Sequence, residues 1–165
     1  MVETYAGAVD KGLEGVIACT TGISSIVDAT LCYRGYTIEE LAANSSFEEV
    51  VYLLWNDRLP TESELADFNQ QLSGAIELDK ELVAELQKLP TKGVHPMSWL
   101  RTATSMLALW DPLANSSDPA DHQKIAINLT AKLGALVALF ERTRQGKDCV
   151  TPKVGQSIAW NFLYM

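Results

Sequence analysis

Hydrophobic positions change their period near residue 37. Before it, short apolar runs are broken by glycine and threonine; after it, apolar residues recur every three or four positions. The first ten residues carry no such pattern and read as a loose arm. Glu14–Ala18 and Gly22–Val27 read as short strands, with turn chemistry between them at Thr20-Thr21-Gly22, and Leu31–Tyr33 as a third. Three such strands cannot make a domain, so a small sheet on a helical body is expected.

From Thr37 the pattern is helical. Thr37-x-x-Glu40, Ser46-x-x-Glu49 and Thr61-x-x-Glu64 are successive capping boxes, each a hydroxyl facing a Glu three residues on. Phe47, Val50, Val51, Leu54 and Trp55 form one apolar stripe, and Leu65, Phe68, Leu72 and Ile76 a second. Asp79 caps a helix bearing Leu82, Val83, Leu86 and Leu89, which Pro90 and Gly93 end.

The next helix is expected to start at Pro96, which has no N–H to leave unpaired. Met97, Leu100, Ala103, Leu107 and Trp110 lie on one side of it, and Trp99, Met106 and Leu109 on another. A long helix over Asp121–Arg144 follows, with an apolar octet from Leu133 to Phe140 and a small-residue seam at Ala131, Gly134, Ala135 and Ala138. Such a seam lets another helix approach closely. A last apolar helix starts at Ser157 and runs to Met165 without a cap, which reads as a truncation. The expected fold class is thus all-α with a small N-terminal antiparallel β appendage, divided into 1–36 (arm and sheet) and 37–165 (helical body).

Composition supports one sizeable core. The chain has 165 residues, 47% hydrophobic and 21% charged. No apolar run approaches the ~20 residues that span a bilayer, and Met-Val-Glu-Thr-Tyr lacks the basic start of a signal peptide. The net charge of −8 argues against nucleic acid and against an anionic membrane. Cys19, Cys32 and Cys149 are odd in number and form no CxxC, so reduced thiols and a cytoplasmic location are expected.

Candidate chemistry is sparse. The histidines are His95 and His122, and neither sits in metal-ligand spacing. Cys149 has no base beside it in sequence. There is no GxGxxG, GxxxxGK[ST] or GxSxG. Lys11-Gly12-Leu13-Glu14-Gly15 lacks the spacing of a phosphate loop. Chemistry on a carbonyl or thioester needs a base near neutral pH and donors for the oxyanion, and no segment presents both.

Several motifs in order do carry a resemblance. The stretch Lys11–Pro60 with Tyr33-Arg34-Gly35-Tyr36, then His95-Pro96-Met97 with Leu100-Arg101-Thr102-Ala103, the stop at Asp111-Pro112, Ala131-Lys132-Leu133 and Asn161-Phe162-Leu163-Tyr164-Met165 resemble the N-terminal part of the citrate synthase family. The resemblance covers about residues 11 to 165.

It implies a mostly helical large domain from a two-domain homodimer. It also implies condensation of acetyl-CoA with oxaloacetate to citrate and CoA, the first step of the tricarboxylic acid cycle. The family's catalytic Asp, two His and substrate-holding arginines occur in motifs beyond NFLYM that this chain does not contain. The chain alone is therefore expected to be inactive, with no catalytic residue, no metal and no cofactor (acetyl-CoA is a substrate). Lys11 falls where some members carry an arginine that contacts CoA phosphates; the alternative is a solvated lysine beside a turn. Arg34 is expected to be structural. His95 sits in a motif whose histidine helps to bind NADH in some members, but a structural role at a helix start is expected here. Dimerisation is expected through helices 96–110 and 121–144. Two other readings stay open: a part of 2-methylcitrate synthase, and a non-catalytic helical dimerisation module.

Overall fold

The computed structural model describes Ile17 and residues 19–165. The loose arm, the expected strand Glu14–Ala18 apart from Ile17, the turns at Gly12 and Gly15, and Lys11 lie outside the described residues. Ile17 is exposed and belongs to no element. The chain forms two compact units, Met1–Ser45 and Ser46–Met165.

The described part of the first unit is a three-stranded antiparallel sheet in the order β1 (Ser24–Val27), β2 (Thr30–Tyr33), β3 (Tyr36–Thr37). Ser25 faces Cys32, and Cys32 faces Thr37. The third described strand is thus Tyr36–Thr37, which periodicity did not find. The reason lies in two adjacent two-residue turns. Asp28 and Ala29 have φ of 48° and 64°, and Arg34 and Gly35 of 48° and 89°. Paired positive φ values twist a hairpin as its strands require, so the chain folds back twice within fourteen residues. Arg34 holds the sheet's edge: its N–H donates to the Ile23 carbonyl at 2.9 Å and its Nη1 to the Gly22 carbonyl at 3.0 Å. Helix α1 (Ile38–Asn44) then starts from the Thr37–Glu40 capping box and buries Leu41.

The second unit holds six helices: α2 (Phe47–Asn56), α3 (Glu62–Ala75), α4 (Lys80–Leu86), α5 (Pro96–Leu107), α6 (Pro119–Arg144) and α7 (Ile158–Tyr164). Both remaining capping boxes form. The Ser46 amide donates to Glu49 at 2.7 Å and the Thr61 amide to Glu64 at 2.9 Å, with the hydroxyls accepting in return. Asp79 caps α4 through the amides of Glu81 and Leu82 at 2.8 and 3.2 Å. Between α2 and α3 the chain reverses at Asp57, in the left-handed region at φ 62°.

Two apolar clusters fill the core, and α6 belongs to both. Phe68, Leu72 and Ile76 pack on Ile127 and Ala131. Leu82, Leu86, Trp99, Ala103 and Leu107 pack on Leu136, Leu139 and Phe140. Ala131 and Ala135 of the small-residue seam are buried, while Gly134 faces the Phe162 ring. By length and hydropathy alone α6 qualifies as a bilayer span, contrary to the sequence expectation. Its buried residues contact α3 and α5, which is the pattern of a core helix.

Some stripes turn differently from their expected face. In α2 the fully buried residue is Leu53, with Glu48 nearly so, whereas Phe47 is 55% exposed. Tyr52 and Trp55 instead set their rings edge-on to Phe68, with centroids 5.5 and 5.7 Å apart. In α5 the buried line is Trp99–Ala103–Leu107, drawn from both expected stripes, and Met97 points outward. Periodicity identifies a helix but not which partner it meets.

The α2–α3 corner is tied by a two-pronged ion pair. Arg58 Nη2 and Nη1 lie 2.5 and 2.8 Å from the two Glu64 carboxylate oxygens. The hydrogen bonds from Arg58 and then from Thr61 hold the Glu64 carboxyl well below the ordinary carboxylate range. A depressed acid contributes stability above its ordinary pKa and loses it as pH falls toward the folded value. Arg58→Met is expected to raise the Glu64 pKa, read from its side-chain carboxyl NMR signal. The accompanying loss of stability is expected to be small because the pair is exposed, to be full at pH 7, and to shrink to nothing at acid pH where Glu64 is protonated in either protein.

Candidate functional site

The residues singled out from sequence do not converge. Lys11 lies outside the described residues. Arg34 sits in the turn between β2 and β3 and bonds the Gly22 and Ile23 carbonyls. His95 is the N-cap of α5, where its Nδ1 accepts from the Met97 amide at 3.2 Å, so its lone pair is committed to the helix start. His122 lies in the first turns of α6. Among the described residues, no three His, Cys, Asp or Glu side chains gather as a metal site would require.

The structure instead concentrates its buried polar groups around the segment 147–157, which joins α6 to α7. Asn161 of α7 is fully buried. Its Oδ1 accepts from the Lys153 amide at 2.7 Å, and its Nδ2 donates to the Lys153 carbonyl at 3.0 Å. One amide side chain thereby satisfies both main-chain groups of one residue. The Ser73 hydroxyl of α3 accepts from the Gly155 amide. Glu48 of α2 accepts from the Ile158 amide at 3.2 Å, placing a carboxylate on the first turn of α7. Arg142 Nε donates to the Asp148 carbonyl. Four side chains from four helices thus hold one connecting loop.

Two hollows flank this loop. One, about 170 Å³, lies between Ala135, Ala138 and Leu139 of α6 and Cys149–Pro152, with Arg142 and Lys80 also lining it. The other, about 640 Å³, is lined by Glu48, Glu49, Asn69, Gln70 and Ser73 and by 154–158. Small residues of the α6 seam leave the first space open. Cys149 accepts from Gln87 Nε2 at 3.0 Å. Burial pushes its thiol above the ordinary value, against the opposing pull of Arg142 and Gln87. It is a thiol at neutral pH and a poor nucleophile. Of the three cysteines only Cys32 is buried, while Cys19 and Cys149 are exposed.

Sequence reasoning missed Glu48, Ser73 and Asn161. Glu48 reads as an ordinary first-turn acid. Asn161 did carry a signal: it is the one polar side chain within the seven residues of α7 that is not a phenol or an indole. A lone amide in so apolar a helix points to a buried hydrogen-bonding duty.

The geometry offers clefts and a fixed loop but no paired base and oxyanion donors among the described residues. Its evolutionary setting is decided by comparison. Residues 12–165 match the family described as citrate synthase, C-terminal domain.

The chain belongs to the citrate synthase family.

It is 46% identical over 154 residues to citrate synthase 2 of Bacillus subtilis, covering 93% of this chain and 41% of that protein. It is 42% identical over 159 residues to 2-methylcitrate synthase of Mycobacterium tuberculosis, covering 95% and 40%. The fold superposes on the crystal structure of citrate synthase from Pyrobaculum aerophilum with a TM-score of 0.85 at 34% identity, over 99% of this chain and 43% of that one. The chain thus spans about two fifths of the length of these citrate synthase relatives. The all-α body with its small antiparallel sheet is the family's architecture over that span.

The loop that Asn161 holds gives a direct test. Asn161→Leu keeps the side-chain size but strands the Lys153 amide and carbonyl. It is expected to cost about 2–3 kcal/mol in urea unfolding. Amide exchange over 150–157 is expected to quicken well before that of α3.

Proposed function

We propose that this chain forms the N-terminal part of the large domain of a citrate-forming enzyme that condenses acetyl-CoA with oxaloacetate. The family match over nearly the whole chain carries this reading. In it the chain contributes scaffold rather than chemistry. The acyl transfer needs a base for the acetyl methyl proton and a donor for the resulting enolate. His95 is committed to capping, and Cys149 is held as a thiol. The catalytic groups are then those of the family's later motifs, and the work is cytoplasmic, at the entry to the tricarboxylic acid cycle, without a cofactor. Lys11 supplies a cation to the CoA phosphates, as a point charge rather than a two-pronged clamp. The kinship with a 2-methylcitrate synthase supports a second reading, in which propionyl-CoA is the acyl donor.

The purified chain is expected to release no CoA from acetyl-CoA and oxaloacetate above the enzyme-free rate, followed with a thiol reagent. Groups that act as a unit lose nearly all acceleration when most are missing. Sustained turnover by the chain alone would overturn the scaffold reading.

Leu129, Leu133 and Val137 are spaced four apart on α6 and remain more than a third exposed, on the side turned away from the buried Ala131 and Ala135. Met97 in the first turn of α5 and Leu109 just past its end are exposed. A second copy covering these helices gives the homodimer. Sedimentation at micromolar concentration is expected to show a dimer, and Leu133→Glu a monomer with an unchanged helical spectrum.

A further inference from the structure

The larger of the two hollows beside the α6–α7 connection has a one-sided charge. Its walls come from the start of α2, the body of α3 and the segment 154–158. Glu48 and Glu49 line it, and no Lys, Arg or His does. The side-chain amides of Asn69, Gln70 and Gln156 line it too, and none of the three bonds to another described residue. Leu65, Leu72 and Ile158 supply an apolar lining.

Glu48 gives this imbalance its weight. Among the described residues it is the one charged side chain that is buried, with 7% of its surface left. Its Oε1 accepts from the Ile158 amide at 3.2 Å. Its Oε2 has neither a donor nor a cation beside it among the described residues, yet it is not sealed from solvent. Holding the first turn of α7 occupies one oxygen and leaves the other without a task. Glu49 is half committed in the same way: its Oε2 takes the Ser46 amide and hydroxyl at 2.7 and 2.8 Å. A carboxylate drawn out of water without a cation costs free energy, which a cation arriving from outside recovers.

We infer that this hollow binds a small aliphatic ammonium compound, with its charged head on Glu48 Oε2 and its carbon chain against Leu65, Leu72 and Ile158. An ammonium carries three donors. Glu48 takes one, and the carbonyl oxygens of the uncommitted amides are there for the others. The volume of about 640 Å³ falls within the roughly 300–1,000 Å³ of small-molecule sites. An anion meets two carboxylates and no basic side chain. A bare divalent ion seeks six or more oxygens in a tight shell, whereas no three His, Cys, Asp or Glu side chains gather among the described residues.

Amide NMR of the purified chain, titrated at constant ionic strength with n-butylammonium, n-butanol or magnesium chloride, tests this. Butylammonium is expected to shift the Gly155 and Ile158 signals saturably, at about millimolar concentration. Butanol has the same chain without the charge and is expected to bind about tenfold more weakly or worse. Glu48→Gln keeps an oxygen for the Ile158 amide and removes the charge. It is expected to weaken butylammonium about tenfold and leave butanol unchanged, a selective loss that a purely structural Glu48 would not produce. Gln70→Lys, on the exposed side of α3, brings a competing ammonium to the hollow. It is expected to weaken butylammonium about fivefold or more with the thermal midpoint unchanged, and it decides the matter if Glu48→Gln does not fold. Four results would overturn the inference. These are no saturable shift, equal affinity for butanol and butylammonium, undiminished affinity in the folded variants, or magnesium producing the same shifts at lower concentration than the amine.

Discussion

Close approach at the small residues of α6 is the constraint on which the second unit depends. Ala131 and Ala135 are buried with almost no side chain, so neighbouring helices approach the α6 backbone closely. Phe68, Leu72 and Ile76 use one side and Trp99, Ala103 and Leu107 the other. α3 also meets α2 and α5 also meets α4, but each packs most extensively on α6. A larger side chain at Ala131 or Ala135 would therefore strain the packing around the helix that both clusters share.

The second organising feature is polar. Glu48, Ser73 and Asn161 are the buried polar residues of the described chain, and all three point to the segment joining α6 to α7. Each accepts from a main-chain amide of that connection or of the first residue of α7. The apolar clusters decide where the helices lie, and these three side chains decide how α7 is hung from them. The hollows beside that loop follow from the same arrangement: a loop fixed at a few polar points cannot also collapse onto the alanines beneath it.

What was legible in the sequence was local. The capping boxes at Thr37, Ser46 and Thr61 form because their partners are three residues apart and no tertiary event is needed to bring them together. The caps at Asp79 and His95 are local in the same way. Stripes were less reliable. Phe47 and Met97 satisfy a helical period yet face outward, because burial depends on the neighbour a helix meets, and for α2 that neighbour is Phe68. The strand Tyr36–Thr37 was hidden by its length and by a turn that puts Arg34, not a glycine, at positive φ. Glu48 and Ser73 were beyond local reasoning altogether, since their partners lie 110 and 82 residues away. The site residue proposed for CoA, Lys11, lies outside the described residues, so its part in the chemistry rests on the family's motif alone.

Those two separations also describe how the second unit is closed. The packing of α3 and α4 on α6 already joins segments well separated in sequence. The hydrogen bonds of Glu48 and Ser73 to 155–158 close the longest loops in the second unit. They draw together the two ends of the second unit, so the attachment of α7 rests on contacts of greater sequence separation than those that join α3 and α5 to α6.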